Sequence, residues 1–186
     1  MYRNIVILLI VLISNYCFAQ SKYQKAINAQ IGYAASFPYY ETEEDFVDSG
    51  IFLQGEYVLK VKTWLEFKPY LGFTATTSNG EDLDGNPINE KSEVTALFLG
   101  TKLRLRAPIR WFAPYFEFGI GASIGNFETL TSVTDVNKSG IIQHIPFGFG
   151  VELGRNNNFD IGVLYLVQKP VEQVIGTAVI GVTFNI

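Results

Sequence analysis

Between Ala26 and Ile186 apolar residues alternate with small or polar ones in about eight runs, each long enough to cross a bilayer as a strand. The clearest run interleaves Leu97, Leu99, Leu103 and Leu105 with Gly100, Lys102, Arg104 and Arg106. Neighbouring side chains of a strand point to opposite faces, so this segment has one apolar face and one charged face. Earlier runs repeat the arrangement. Ile27, Ala29, Ile31, Tyr33 and Ala35 oppose Asn28, Gln30, Gly32, Ala34 and Ser36. Leu53, Tyr57, Leu59 and Val61 oppose Gln54, Glu56, Val58 and Lys60, and Phe67, Leu71, Phe73 and Ala75 oppose Lys68, Tyr70, Gly72 and Thr74. Later runs set Phe116, Phe118 and Ile120 against Glu117 and Gly119, Phe147 and Phe149 against His144, Gly148 and Glu152, and Ile161 and Val163 against Asp160 and Gly162. The last run turns Ala178, Ile180, Val182, Phe184 and Ile186 to one side.

The segments between the runs read as turns and loops. An acidic loop carries Glu41, Glu43, Glu44, Asp45 and Asp48, a second loop spans Ser78 to Lys91, and a third polar loop runs from about Asn126 to Gly140. Short connections fall at Lys62 to Trp64, around Pro108 to Trp111, at Arg155 to Asn158 and near Pro170 to Gln173. The prediction is an all-β chain folded as an eight-stranded antiparallel up-and-down barrel, with short turns at one end and longer loops at the other. A faint repeat, Trp64 with Pro69-Tyr70-Leu71-Gly72 and Trp111 with Pro114-Tyr115 and Gly119, marks two equivalent strands.

A period of two does not say which face meets water, because a soluble sandwich alternates too. Three features favour an apolar exterior. No Asp, Glu, Lys or Arg falls on the apolar faces, as expected if a charge facing lipid costs about 2–4 kcal/mol. The interior of eight strands is just wide enough for side chains to fill, so Phe73, Phe116, Phe118, Phe147, Phe149 and Tyr165 would not fit there together. The opposite face carries Gly32, Gly72, Gly100, Gly119, Gly121, Gly148, Gly150, Gly162 and Gly181, residues that weaken a water-exposed strand but suit a tight lumen. These features predict a transmembrane β-barrel. Trp64 and Trp111 at one rim, and Tyr39 and Tyr40 at the other, fit interfacial aromatic girdles.

The first residues read as a secretion leader. Arg3 precedes the apolar stretch Ile5 to Ile13, and cleavage is expected after Ala19, dividing the chain into a signal peptide at 1–19 and a barrel at 20–186. The only cysteine, Cys17, lies inside that leader; lipidation there is the alternative, although Tyr16 fits a lipobox poorly. The net charge of −4 argues against a nucleic-acid partner, which needs a basic footprint.

The leader ending Ala-Gln, the alternating strands and Pro114-Tyr115 followed by Gly119 together resemble the small outer-membrane β-barrel proteins of the OmpA/OmpX type. The ending Gly181 to Ile186 is similar to the C-terminal strand signal of that family, with Phe184 and Ile186 as its apolar residues; a terminal aromatic is the usual form. The resemblance implies location in a bacterial outer membrane, contact with membrane lipids and lipopolysaccharide, and passage through the barrel-assembly machinery.

The polar face concentrates Glu56, Lys60, Lys68, Lys102, Arg104, Arg106, Glu117, Glu152 and Asp160 towards the short-turn end. A paired, hydrogen-bonded cluster is tolerated in a dry interior where isolated charges are not. A salt-bridge plug is expected, with Lys102 and Arg104 meeting Glu117 and Glu152; the alternatives are a proton or ion path and a narrow solute channel. His144, the only histidine, shares a face with Ser123, a pairing that in a lipid hydrolase or acyltransferase would need an orienting acid. No such acid stands nearby, and no catalytic residue is assigned. Asp82, Asp84 and Asn86 loosely resemble a calcium loop, but the EF-hand spacing is absent. No metal and no cofactor is expected. The resulting reading is a barrel with a structural or surface-interaction role in envelope integrity, adhesion or protection, with its acidic loops available to a surface partner.

Overall fold

The computed structural model describes residues 24–40 and 46–186. The leader, with Cys17 and Ala19, and the loop acids Glu41, Glu43, Glu44 and Asp45 lie outside the described residues. Eight strands follow one another: β1 (Gln24–Pro38), β2 (Asp48–Lys62), β3 (Leu65–Thr77), β4 (Lys91–Arg106), β5 (Trp111–Leu130), β6 (Asp135–Gly154), β7 (Phe159–Gln168) and β8 (Gln173–Asn185). Each pairs antiparallel with its chain neighbour, and β1 closes the sheet against β8. Closure removes every free edge within the barrel wall. A 3-10 turn, Lys169–Val171, links β7 to β8.

Alternation in the chain becomes an inside and an outside. Ile31, Leu71, Leu99, Ile120, Ile161 and Ile180 are roughly half exposed on the outer wall. Asn28, Gln54, Glu56, Lys68, Lys102, Arg104, Glu117 and Asp160 are buried within. Trp64 and Trp111 occupy the rim with the short turns, and Tyr39 and Tyr40 occupy the other rim.

The segment from Asn126 to Gly140 is not the loop that its polarity suggests. β5 and β6 stay paired up to Leu130 opposite Asp135, leaving only residues 131–134 as the connection. β7 pairs with β6 only as far as Val167 opposite Ile145, so the β6 arm of this hairpin projects beyond β7, while the β5 arm stays paired with β4 as far as Lys91 opposite Leu130. Phe127 turns inward into the apolar core and Val136 packs against it, but Asn126, Glu128, Asn137 and Ser139 surround them, so the composition resembles that of a loop. Asp48 also moves out of its predicted loop: it begins β2, is buried, and accepts a 2.5 Å hydrogen bond from the Ser92 backbone N–H.

Candidate functional site: the barrel interior

The interior is layered along the barrel axis. Nearest the short turns lies an ionic layer formed by β2 to β7. The alternation of β4 aims Lys102 and Arg104 inward, and that of β5 aims Glu117 between them. Lys102 Nζ lies 2.6 Å from Glu117 and 2.6 Å from Glu56, and Lys68 pairs with the other oxygen of Glu56. Arg104 contacts Glu117 at 2.8 Å, Glu152 at 3.0 Å and Asp160 at 4.0 Å. Arg106 continues the chain to Glu152 at 2.8 Å and Glu66 at 3.6 Å. Amides complete the shell: Asn28 Nδ2 donates to Asp160 at 2.6 Å, Gln30 Nε2 donates to Asp160 at 3.2 Å, and Gln54 Nε2 donates to Glu56 at 2.7 Å. Four bases thus face five acids. Such sharing offsets part of the desolvation cost that each ion would bear alone.

Two predicted members need revision. Lys60 is only partly buried, makes no ion pair among the described residues, and lines the mouth beside Gln24. Glu66 also belongs to the network, because β3 starts at Leu65, two residues before the predicted first strand residue Phe67. Extending the alternation of Tyr70 and Lys68 by one step would have found it, and it stands opposite Arg104 in register.

Two tyrosines flank the ions, Tyr70 opposite Gly100 on the loop side and Tyr115 opposite Arg106 on the short-turn side, and each packs over a pair of glycines. The Tyr70 hydroxyl rests over Gly100 and Gly121, which pair across β4 and β5, and the Tyr115 hydroxyl rests over Gly150 and Gly162, which pair across β6 and β7. A Cβ at Gly121 would lie 2.3 Å from Tyr70 Oη and 2.4 Å from His144 Nε2; at Gly150 it would lie 2.5 Å from Tyr115 Oη. Only glycine permits this approach. Each ring also faces a cation, Arg104 Cζ 3.7 Å from the Tyr115 centroid and Lys102 Nζ 5.3 Å from that of Tyr70. The faint repeat around Pro69-Tyr70 and Pro114-Tyr115 therefore corresponds to one packing unit used twice.

His144 shares a 2.6 Å hydrogen bond with Tyr70 Oη through Nε2 and a 2.8 Å hydrogen bond with Ser123 Oγ through Nδ1. Gln168 Nε2 donates to Ser123 at 3.1 Å. A phenol thus occupies the place where a hydrolase would set an acid, and both His144 and Ser123 are fully buried. Still further up, Phe52 stacks on Phe98 at 5.1 Å, and Val94, Phe127, Ile142, Leu164, Leu166 and Ile175 form an apolar core. At the top, Gln173 Nε2 donates to Ser36 at 2.8 Å and to Ser92 at 3.0 Å.

In the second loop, Asp82 accepts from the backbone N–H groups of Asp84 at 2.9 Å and Asn86 at 2.7 Å, and from the Asn86 side chain at 2.8 Å. These bonds make Asp82 the acceptor that closes the turn, one oxygen taking both backbone N–H groups and the other the Asn86 side chain. The Asn86 side chain, followed by the backbone donors, holds the Asp82 carboxyl below its usual range.

No family model and no curated protein sequence matches this chain. Solved structures do. Neisserial surface protein A aligns with a TM-score of 0.60 at 11% identity, over 87% of this chain and 97% of that one. Ail, the attachment invasion locus protein of Yersinia pestis, aligns at 0.49 with 16% identity over 87% and 99% of the two chains. The outer membrane enzyme PagL aligns at 0.48 with 14% identity, again over 87% and 99%. At these identities the likeness is one of fold: the chain is a closed eight-stranded up-and-down barrel like that of Neisserial surface protein A.

Proposed function

We propose that this chain is an outer-membrane barrel with a closed lumen, serving a structural and surface-interaction role in envelope integrity, adhesion or protection. One observation carries the reading: between its rims the outer wall is apolar and uncharged, while buried ions are paired inside it. A water-soluble barrel would have the reverse arrangement. The sealing layers are the ion network, the two tyrosines and the apolar core above them. The short turns, the start of β1 and the end of β8 then face the periplasm, and the loops with the β5–β6 hairpin face outward.

Phe184 points out from β8 beside the short-turn rim, where the assembly machinery would read it and Ile186 during insertion. Lipopolysaccharide would surround the opposite rim, and a surface partner would meet the acidic loops. Planar-bilayer recording tests the closed lumen. The refolded barrel should pass no steady current, and a large steady conductance would overturn the reading. Lipid A from cells with and without the protein separates this role from that of a lipid hydrolase built on Ser123 and His144. Its acylation should be unchanged by mass spectrometry, and altered acyl chains would favour the enzyme.

A further inference from the structure

At the short-turn end a cleft of about 490 Å³ opens between the barrel mouth and the turns. Its charged lining is wholly cationic: Lys60, Lys62, Arg106, Arg110 and Arg155. Among the described residues Lys60, Lys62, Arg110 and Arg155 make no ion pair, so their charge is not spent on the barrel itself. Arg106 uses both terminal nitrogens on Glu66 and Glu152, while its buried Nε has no hydrogen-bond partner. Unpaired donors around a cleft without a single carboxylate in its lining form a site for an anion.

The position of the cleft selects the anion. Lys62 Nζ stands 5.5 Å from the ring of Trp64, and Arg110 precedes Trp111, whose side chain is 58% exposed. Trp111 holds its place with φ +75°, a strained backbone for a bulky residue. Exposed tryptophans mark the level of lipid head groups, so these cations stand where phosphates lie. We propose that the cleft binds the phosphate of an anionic phospholipid head group. The inference rests on the membrane reading above and adds a ligand class to it.

The test uses the full chain refolded in neutral detergent, with native mass spectrometry counting retained lipid during titration with phosphatidylglycerol or phosphatidylcholine. Phosphatidylglycerol should be retained selectively. The exposed triple substitution Lys62→Gln, Arg110→Gln, Arg155→Gln should weaken retention roughly 100-fold, given the usual attraction of each basic residue to an anionic surface. Removing the same charge from the opposite end, with Lys91→Gln, Lys138→Gln and Lys169→Gln, should leave it unchanged. Equal retention of the two lipids, or equal loss from both triples, would overturn the site. Displacement of the lipid by millimolar inorganic phosphate would overturn the lipid assignment in favour of a soluble phosphate ligand. Failure of the membrane reading would look different: the chain would fold without detergent, whereas failure of this inference leaves a detergent-dependent barrel indifferent to head-group charge.

Discussion

Arg104 on β4 and Glu117 on β5 stand directly opposite each other in register, with both Arg104 Nε and Nη2 2.8 Å from Glu117 Oε2. The bond links neighbouring strands and is the centre from which the ionic layer spreads to β2, β3, β6 and β7. Removing the guanidinium would leave Glu117 and Glu152 without a principal counter-ion in a dry interior. Arg104→Ala should therefore lower the unfolding free energy by about 3–5 kcal/mol, read from urea titrations of the barrel in lipid vesicles. The same substitution should admit small currents in planar bilayers. A variant as stable and as tight as the parent would show that the pair closes nothing.

The glycines under the tyrosines make a sharper packing test. Gly121→Ala drives a methyl group into Tyr70 Oη, His144 Nε2 and the Leu99 carbonyl, and should cost about 1–3 kcal/mol. Gly55 lies on the outer wall, where an added Cβ meets nothing closer than the Leu71 carbonyl at 4.0 Å. Gly55→Ala should stay within about 0.5 kcal/mol of the parent, or gain slightly from a stiffer unfolded chain. Equal effects at the two positions in urea titrations would contradict the packing.

Depth along the outer wall gives a third comparison. Leu99→Arg places a charge in the apolar belt and should cost about 2–4 kcal/mol in vesicles. Ile141 is 70% exposed on the projecting hairpin, and Ile141→Arg should cost about 0–1 kcal/mol. The difference between the two measures how far β5 and β6 extend beyond the bilayer.

Acid should loosen the second loop while leaving the barrel intact. Because the folded carboxyl of Asp82 titrates below its unfolded value, its contribution is complete above the ordinary carboxylate range and is lost as pH falls through the lowered value. Amide exchange at Asp84 and Asn86 should therefore accelerate, relative to the intrinsic rate, as the medium is acidified from neutral through and below the ordinary carboxylate range. Asp82→Ala should exchange fast throughout, without that pH step.

Period-two alternation made the wall legible, since Leu99 against Lys102 or Phe118 against Glu117 is a local pattern that closure of the sheet merely repeats. Which polar groups meet was legible between near strands: Arg104 and Glu117 face each other through one turn and Glu152 stands one strand further on β6, whereas Asp160 meets Asn28 through the β1–β8 closure, a contact 132 residues apart. The upper apolar core is not legible in a count of aromatics, because what the interior holds depends on what stands opposite each ring. Phe98 fits against Gly72, where a Cβ would lie 2.3 Å from its ring, and Tyr70 fits over Gly100 and Gly121. The glycines that identified a tight lumen also made room for rings inside it.

The central claim is that the bulky outer residues touch hydrocarbon. Spin labels placed singly at Leu99, Ile120 and Ile180 of the barrel in vesicles test it directly, by comparing collisions with oxygen, which concentrates in lipid, and with a water-soluble nickel complex. All three positions should be relaxed strongly by oxygen and weakly by nickel. Strong nickel relaxation at these positions in a folded barrel would place the outer wall in water and contradict the account.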